Sequence, residues 1–282
     1  MKALSILLIF VSELSFGQFI FPELSPRSTI HQQVGYTTID IHYSRPAARE
    51  RKIMGGLVPY KKLWRTGAGN CTTLSFDHDV LINNKTIKAG IYALTTIPNE
   101  KEWVVLLNSD TSKLYGDPSE YNISTEVLRF NVNSEPTERF YESLTITLDI
   151  IHSDAILFLT WEKTQIHFLI GTGSHQKAIT EINKVLNEKP NDIEVLTSAA
   201  WYYYMTNESS EQILQWLNKA LSIKEDRWAL SQKVDVLVRM KNYKEARITA
   251  KAAIDLLKRT KPDEWEESVK SYEEEMKGWP ER

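Results

Sequence analysis

Apolar residues recur with two different periods in this chain, and the period changes near residue 171. Before this point apolar and polar residues alternate, as at Leu144, Ile146 and Leu148, and this period of two is typical of strands with one buried face. After it apolar residues recur every three or four positions, which is typical of amphipathic helices. Neither a single sheet nor a single helical bundle accommodates both patterns. The sequence therefore predicts an α+β chain with segregated domains, a β domain first and an all-α domain second.

Residues 18–170 form the predicted β domain. Turn-forming pairs such as Asn83-Asn84 and Pro98-Asn99 separate its alternating segments, and no helical pattern lies between them. About ten short strands at this spacing predict an antiparallel β-sandwich or barrel. The predicted strands include residues 71–76, 80–82, 86–88, 91–97, 102–108, 125–132 and 144–150.

Residues 175–282 form the predicted helical domain, and residues 171–174, with the sequence Gly-Thr-Gly-Ser, are predicted to be a short flexible linker before it. Polar breaks divide the helical domain into about six helices. Asp192, Ser209 and Pro262 are expected near helix N-termini. Because short connections make neighbouring helices antiparallel, the sequence predicts helical hairpins.

A weak repeat of small residues runs through the helical domain. Ala220 and Ala253 lie 33 positions apart. Residues 242–246, with the sequence Asn-Tyr-Lys-Glu-Ala, are followed by Ala250 and Ala253 and resemble the second half of a tetratricopeptide repeat. In such repeats small residues let the two helices of a hairpin approach closely. We therefore expect tetratricopeptide-like hairpins, with an unrelated helical bundle as the alternative.

Residues 1–17 have the order of a secretory signal peptide: a basic start, a short apolar run over residues 3–11, and small residues at Ser15 and Gly17. This order predicts cleavage before Gln18 and export to the periplasm or the cell exterior. A buried N-terminal strand or helix is the alternative. No later apolar run approaches the ~20 residues of a membrane-spanning helix, so no transmembrane segment is expected.

Charge and cysteine content exclude several kinds of site. The net charge of −3 does not favour nucleic acid as a partner. Cys71 is the single cysteine, so neither an internal disulfide nor a zinc site with several thiolates is available. A half-buried residue at a strand start is expected there. The triplet Asp77-His78-Asp79 predicts a polar turn more than a metal site. We expect no metal and no cofactor.

One segment between two predicted strands concentrates positive charge. Seven of the Lys and Arg residues lie between positions 45 and 65, where Glu50 is the single acidic residue. The segment is too long for a hairpin turn, and long structured loops are often functional. Arg45, Arg51 and Arg65 have the planar fork that binds a carboxylate or a phosphate.

The segment predicts a ligand site, for which Trp64 and Tyr60 offer a stacking surface. The predicted ligand-binding residues are Tyr43, Arg45, Arg51, Tyr60, Trp64, Arg65, Thr66, Asn70 and Glu162. No catalytic residue is predicted. In the alternative interpretation Trp64 closes the open end of the sandwich and Arg65 pairs with Glu162, so that the segment is structural.

Several sequence blocks over roughly residues 24–170 resemble the bacterial DUF2911 family. The blocks are Ser25-Pro26, Tyr-Ser-Arg-Pro at 43–46, Gly-Gly-Leu-Val-Pro-Tyr at 55–60, Trp-Arg-Thr-Gly-Ala at 64–68, Ala-Gly-Ile-Tyr-Ala-Leu at 89–94, Trp103 and Trp-Glu-Lys at 161–163. The resemblance implies an exported protein, in some members with helical repeats attached, and no established activity. The family usually has Asn after Trp-Arg-Thr-Gly-Ala, whereas this chain has Gly69 followed by Asn70.

These observations predict a cell-envelope binding or scaffold protein. Its β domain is expected to bind an anionic or carbohydrate-like ligand, and its helical repeats a protein partner. The alternative is a secreted hydrolase with a site around residues 43–70, and a third possibility is a purely structural envelope component. An enzyme requires convergent carboxylates or a His beside Arg45 and Arg65 in a pocket, whereas a structural role requires Trp64 and Arg65 to be buried and paired.

Overall fold

A computed structural model of the chain describes residues 22–260 and 265–281. It confirms the predicted order, since strands occupy residues 27–170 and six helices follow over residues 174–278. The predicted signal peptide, its cleavage site and the helix start at Pro262 lie outside the described residues.

Ten strands form the β domain within the described residues, and every strand pair is antiparallel. Six of them make one sheet in the order β1-β2-β3-β6-β7-β8, while β9 with β10 and β4 with β5 make two hairpins. The strands are β1 Arg27–Val34, β2 Thr37–Ser44, β3 Thr72–Phe76, β4 Val80–Ile82, β5 Lys85–Ile87, β6 Gly90–Ile97, β7 Glu102–Asn108, β8 Glu126–Asn133, β9 Glu135–Ile151 and β10 Asp154–Ile170.

The long β9–β10 hairpin packs over the inner face of the six-stranded sheet and makes the domain two-layered. The hydroxyl of Tyr43 on β2 accepts the N–H of Ile146 on β9 at 3.1 Å. Phe130 on β8 meets the edge of Phe168 on β10 at 5.4 Å between ring centroids. Apolar side chains at every second position of the strands point into the space between the two layers. They form one continuous apolar core there.

Two strands are longer than predicted. β9 and β10 each contain 17 residues. The pairing of the two strands extends beyond the predicted ends, although residues 135–140 are mostly exposed, and the register of the hairpin shifts on either side of Glu162 on β10. Glu162 has a φ of +52°, a left-handed conformation that interrupts the regular ladder.

The outer face of the six-stranded sheet is only partly covered. Thr29, His42, Thr73 and Ala93 are cross-strand neighbours on this face, opposite the core. The loop over residues 109–125, which contains two short 3₁₀ turns, folds back over part of it. Its buried Tyr115 packs with Cys71 and Ala93 in a second small cluster. The outer face of β1 and β2 therefore borders an open space beside this loop.

Six helices follow, and their ends agree with the predicted polar breaks. They are α1 Ser174–Glu188, α2 Ile193–Met205, α3 Ser210–Ile223, α4 Arg227–Arg239, α5 Tyr243–Thr260 and α6 Trp265–Gly278. The carboxylate of Asp192 accepts the N–H groups of Glu194 and Val195 at the start of α2, and Ser209 caps α3, as predicted. None of the helices in the described part of the chain has the length and apolar character needed to cross a membrane.

Small residues permit the close helix packing that the repeat predicts. α2 packs on α3 and α4 packs on α5, which makes two antiparallel hairpins. Ala220, Ala246, Ala250 and Ala253 are all fully buried. Helix α1 differs, because Ser174 and Ala178 are its only buried residues.

The segment predicted to be a flexible linker is an ordered junction between the domains. Gly171 pairs through its backbone with Leu81 on β4, at 2.7 and 2.9 Å. The N–H of Thr172 donates to the carboxylate of Asp154 at 2.7 Å. The hydroxyl of Ser174 accepts the N–H of Tyr36 in the β1–β2 turn at 2.9 Å, so the polar groups of the junction are paired inside the protein.

Candidate functional site

Two of the arginines predicted to bind a ligand are instead bound to nearby protein oxygens. Arg45 donates from Nε to the carbonyl of Leu144 and from Nη2 to the hydroxyl of Thr145, both at 3.0 Å. Arg51 donates to the carbonyls of Ala47 and Ala48. These guanidinium groups satisfy backbone acceptors at the edge of the sandwich, and the structure does not bring them together with Arg65.

Arg65 does not form the pair with Glu162 that the structural alternative requires, whereas Trp64 packs against the core of the sandwich. Trp64 is half-buried and stacks on Trp161, with 5.9 Å between the ring centroids. Its indole N–H donates to the carbonyl of Gly67 at 3.1 Å. Arg65 donates to the carbonyl of Gly69. The carboxylate of Glu162 accepts the N–H of Met54 instead, at 3.3 Å.

The remaining predicted residues of the segment have mainly structural roles. Thr66 is fully buried, has a φ of +56°, and shares a hydrogen bond of 3.1 Å between hydroxyls with Thr96. Tyr60 packs on the apolar core, and burial raises its pKa, with the charges of Glu100 and Glu162 adding to the rise. At the predicted site the structure has a shallow groove of about 300 Å³, which Trp64, Arg65 and neighbouring residues line.

A larger cleft lies beside this segment, over the open outer face of the sheet. Its volume is about 520 Å³. Two predicted residues, Tyr43 and Asn70, line it. Its walls also carry Arg27, His42 and Lys113, and no Asp or Glu is among its lining residues. Its other lining residues include Thr29, Ser44 and Thr73, which lie on the outer face of the sheet, and Thr111 and Ser112 from the loop after β7.

Strand register positions one wall of this cleft. Arg27 on β1 lies opposite Ser44 on β2, and Thr29 lies opposite His42. The Nδ1 atom of His42 and the hydroxyl of Thr29 are 3.0 Å apart and hydrogen-bonded. Because residues two positions apart share a face of a strand, Arg27 and Thr29 both project from the outer face.

The loop after β7 supplies the opposite wall. The carboxylate of Asp110 accepts the N–H of Ser112 at 3.0 Å and its hydroxyl at 2.6 Å. These bonds hold the pKa of Asp110 below its usual value. The hydroxyl of Tyr115 donates to the carbonyl of Asp110 at 2.6 Å. The turn formed in this way places Lys113 beside the cleft, and the charge of Lys113 also contributes to the lowered pKa of Asp110.

Cys71 lines the cleft and lies just before β3, close to the predicted strand start, and it is more deeply buried than predicted. Burial raises the pKa of its thiol to about 12, although the charge of Arg65 acts in the opposite direction. At neutral pH the group is therefore a thiol, which is a poor nucleophile.

The turn predicted at Asp77-His78-Asp79 is confirmed. Asp77 accepts the N–H of Thr38 at 2.7 Å, and Asp79 pairs with Lys88 at 2.8 Å. Within the described residues no group of three His, Cys, Asp or Glu side chains is arranged to hold a metal ion.

Tyr43 and Asn70 are predicted site residues that line the cleft, whereas Arg27, His42 and Lys113 line it without having been predicted. The pairing of β1 with β2 was the signal that places Arg27 and His42 on one face. Lys113 had no such signal, because its position depends on the folding of the loop over the sheet. Gly69, where the family usually has Asn, has a φ of +66°, a conformation that both residue types tolerate, and Asn70 beside it lines the cleft.

A comparison with known families identifies one match, to a family described as a protein of unknown function, DUF2911, over residues 25–170. No curated protein and no solved structure matches the chain.

Proposed function

Because the chain belongs to the DUF2911 family, which has no assigned function, we propose its function from its own geometry: it is an exported envelope binding and scaffold protein whose β domain binds a small acidic sugar. The observation that carries the proposal is the cleft of about 520 Å³, whose lining combines Arg27, His42 and Lys113 with many hydroxyl groups and no carboxylate. The helical domain is proposed to bind a protein partner.

The charge of the cleft favours an anion. Arg27 and Lys113 lie on opposite walls, one on β1 and one on the loop after β7. A guanidinium binds a carboxylate or phosphate through two parallel hydrogen bonds, while an ammonium acts as a point charge. A ligand with its anionic group between these walls would contact both cations.

The remaining lining favours a ligand that carries several hydroxyl groups. The hydroxyl groups of Thr29 and Thr73 on the outer face can both donate and accept hydrogen bonds, as sugar hydroxyls do. The cleft lies in the size range of pockets that enclose small ligands. A uronic acid or a sugar phosphate matches both the charge and the hydroxyl content.

The lining supports binding more than hydrolysis. Cys71 is protonated at neutral pH. His42 bonds to the hydroxyl of Thr29, and no carboxylate lines the cleft to orient this imidazole as a general base. Arg45 is bound to backbone and hydroxyl oxygens of β9 away from this cleft. A module that recognises a ligand without transforming it fits these groups best.

Calorimetric titration of the full chain tests the proposal, with glucuronate and glucose 6-phosphate as probes and glucose as the neutral control. We expect both acidic probes to bind and glucose not to bind. Arg27→Ala or Lys113→Ala should weaken binding roughly tenfold to a hundredfold, since each removes a charge-assisted hydrogen bond.

The matched control is Lys52→Ala, which removes an exposed cation of the same domain outside the cleft. This variant should bind as the native protein does. Equal binding of glucose, no binding of either acidic probe, or an equal loss in Lys52→Ala would refute the proposed ligand class.

A further inference from the structure

Helix α1 leaves much of its apolar face uncovered. Ala178, Ile182 and Val185 follow at intervals of four and three residues, which places them on one stripe of the helix. Ala178 is buried, whereas Ile182 and Val185 are only half-buried. In the hairpins α2–α3 and α4–α5 the corresponding stripes contain fully buried residues such as Leu217 and Val236.

A second apolar stripe faces the first across an open groove. Val195, Ala199 and Tyr202 on α2 are spaced in the same way, at intervals of four and three residues. Both stripes line one groove of about 530 Å³ between α1 and α2. Tyr36, from the β1–β2 turn, lines the same groove and is about half exposed.

The rim of the groove is acidic. Glu181, Asp192 and Glu194 line it together with a single cation, Lys189. Asp192 is held at the start of α2 by its bonds to two backbone N–H groups, so its charge has a fixed position. An occupant with basic residues beside its apolar anchors would complement this rim.

We propose that the groove between α1 and α2 docks an amphipathic helix of a partner protein, with apolar anchors one turn apart and Lys or Arg residues beside them. This inference rests on the proposed scaffold function and specifies its partner. The apolar stripes run over residues 178–185 and 195–202, so the apolar part of the groove is about 10 Å long, or about two turns of a helix. Anchors at such spacing are the usual mode of helix recognition in a groove.

An exposed aromatic cluster elsewhere in the helical domain provides a control surface. The ring of Trp201 stacks on that of Tyr204 and lies beside that of Trp228, with 6.0 and 5.8 Å between the ring centroids. The rings pack on one another, and Arg239 lies over Tyr204 at 4.8 Å. Trp228 and Trp201 do not line the groove, so a change at Trp228 perturbs exposed apolar surface without touching the proposed docking site.

The test uses the full chain and two designed helical peptides that share Leu anchors at i, i+4 and i+7. One peptide carries Lys beside the anchors and the other carries Glu. Fluorescence anisotropy should show that the Lys peptide binds at least tenfold more tightly. The double variant Glu181→Lys/Glu194→Lys should reverse this preference, and Val185→Arg should weaken binding of the Lys peptide at least tenfold.

Trp228→Ala and the cleft variant Arg27→Ala should bind the Lys peptide as the native chain does, and circular dichroism should show that every variant is folded. Equal binding of the two peptides, no binding of the Lys peptide, or an unchanged preference in the double variant would overturn the inference. Self-association that Val185→Arg abolishes would instead identify a second copy of the chain as the occupant. Peptide binding without sugar binding would refute the proposed β-domain ligand alone.

Discussion

Asp235 on α4 provides the sharpest test of the packing in the helical domain. Burial raises the pKa of its carboxyl from 3.8 to about 6, and the negative charge of Glu275 on α6 adds to the rise. Asp235 lines a cavity of about 470 Å³ together with Glu275, Glu267, Arg227 and Tyr272. The ionised carboxylate is therefore less stable in the folded protein than in the unfolded chain.

The size and sign of this effect follow from the shift. Because the carboxyl is only partly buried, solvent screens its charge, and the rise in its pKa corresponds to about 1 to 2 kcal/mol between the two protonation states. The folded state binds the proton more tightly, so this group lowers the free energy of unfolding as pH rises from about 4 to about 6. The destabilisation is small below the unfolded pKa and complete above the folded pKa.

Asp235→Asn should therefore stabilise the protein by about 1 to 2 kcal/mol at about pH 7.5 and by less than about 1 kcal/mol at about pH 4. Urea unfolding of the full chain, followed by helical circular dichroism at both pH values, measures the difference. Glu275→Gln should stabilise less, because its charge is the smaller cause.

Glu274→Gln serves as the control, because it removes an exposed carboxylate next to Glu275 on α6. We expect this variant to show no pH-dependent change in the free energy of unfolding. A stability difference for Asp235→Asn that is the same at both pH values would refute the reasoning.

Two further predictions concern the β domain. Gly35→Ala should destabilise the protein by about 2 kcal/mol in thermal or urea unfolding. Gly35 has a φ of +58°, and an added Cβ would collide with the hydroxyl oxygen of Ser174. An unchanged stability would contradict this account of the junction. Cys71 in the folded chain should react with a thiol reagent at about pH 8 at least a hundredfold more slowly than in the urea-unfolded chain, since burial raises its pKa to about 12. Equal rates would mean that the thiol is accessible and ionised.

The order of the elements was predictable because the signals for strands and helices are local. The predicted strand at 102–108 matches β7, and Asp192 and Ser209 cap helices as predicted. The alternation of side chains and the preference of short polar side chains for helix N-termini act within a few residues. The junction at 171–174 was harder to predict, because its bonds to Asp154 and Tyr36 join residues that are distant in sequence.

The candidate site was only partly predictable for the same reason. A cluster of cations in sequence predicted a joint role for Arg45, Arg51 and Arg65, but each guanidinium bonds to the acceptors nearest to it. Backbone carbonyls at the edge of a sandwich need donors, and arginine side chains supply them. The cleft instead joins Arg27 and Lys113 through strand register and a folded loop, which no local pattern encodes.

The ordered junction also bears on how the β domain could be studied alone. A protein cut after residue 170 would lose the Thr172 groups that bond to Ser153 and Asp154, and the Ser174 hydroxyl that holds the β1–β2 turn. The carboxylate and carbonyl exposed by the cut would have to be solvated by water at a former interior surface. The first residue of α1 thus belongs energetically to the domain before it, and a minimal β fragment should extend through Ser174.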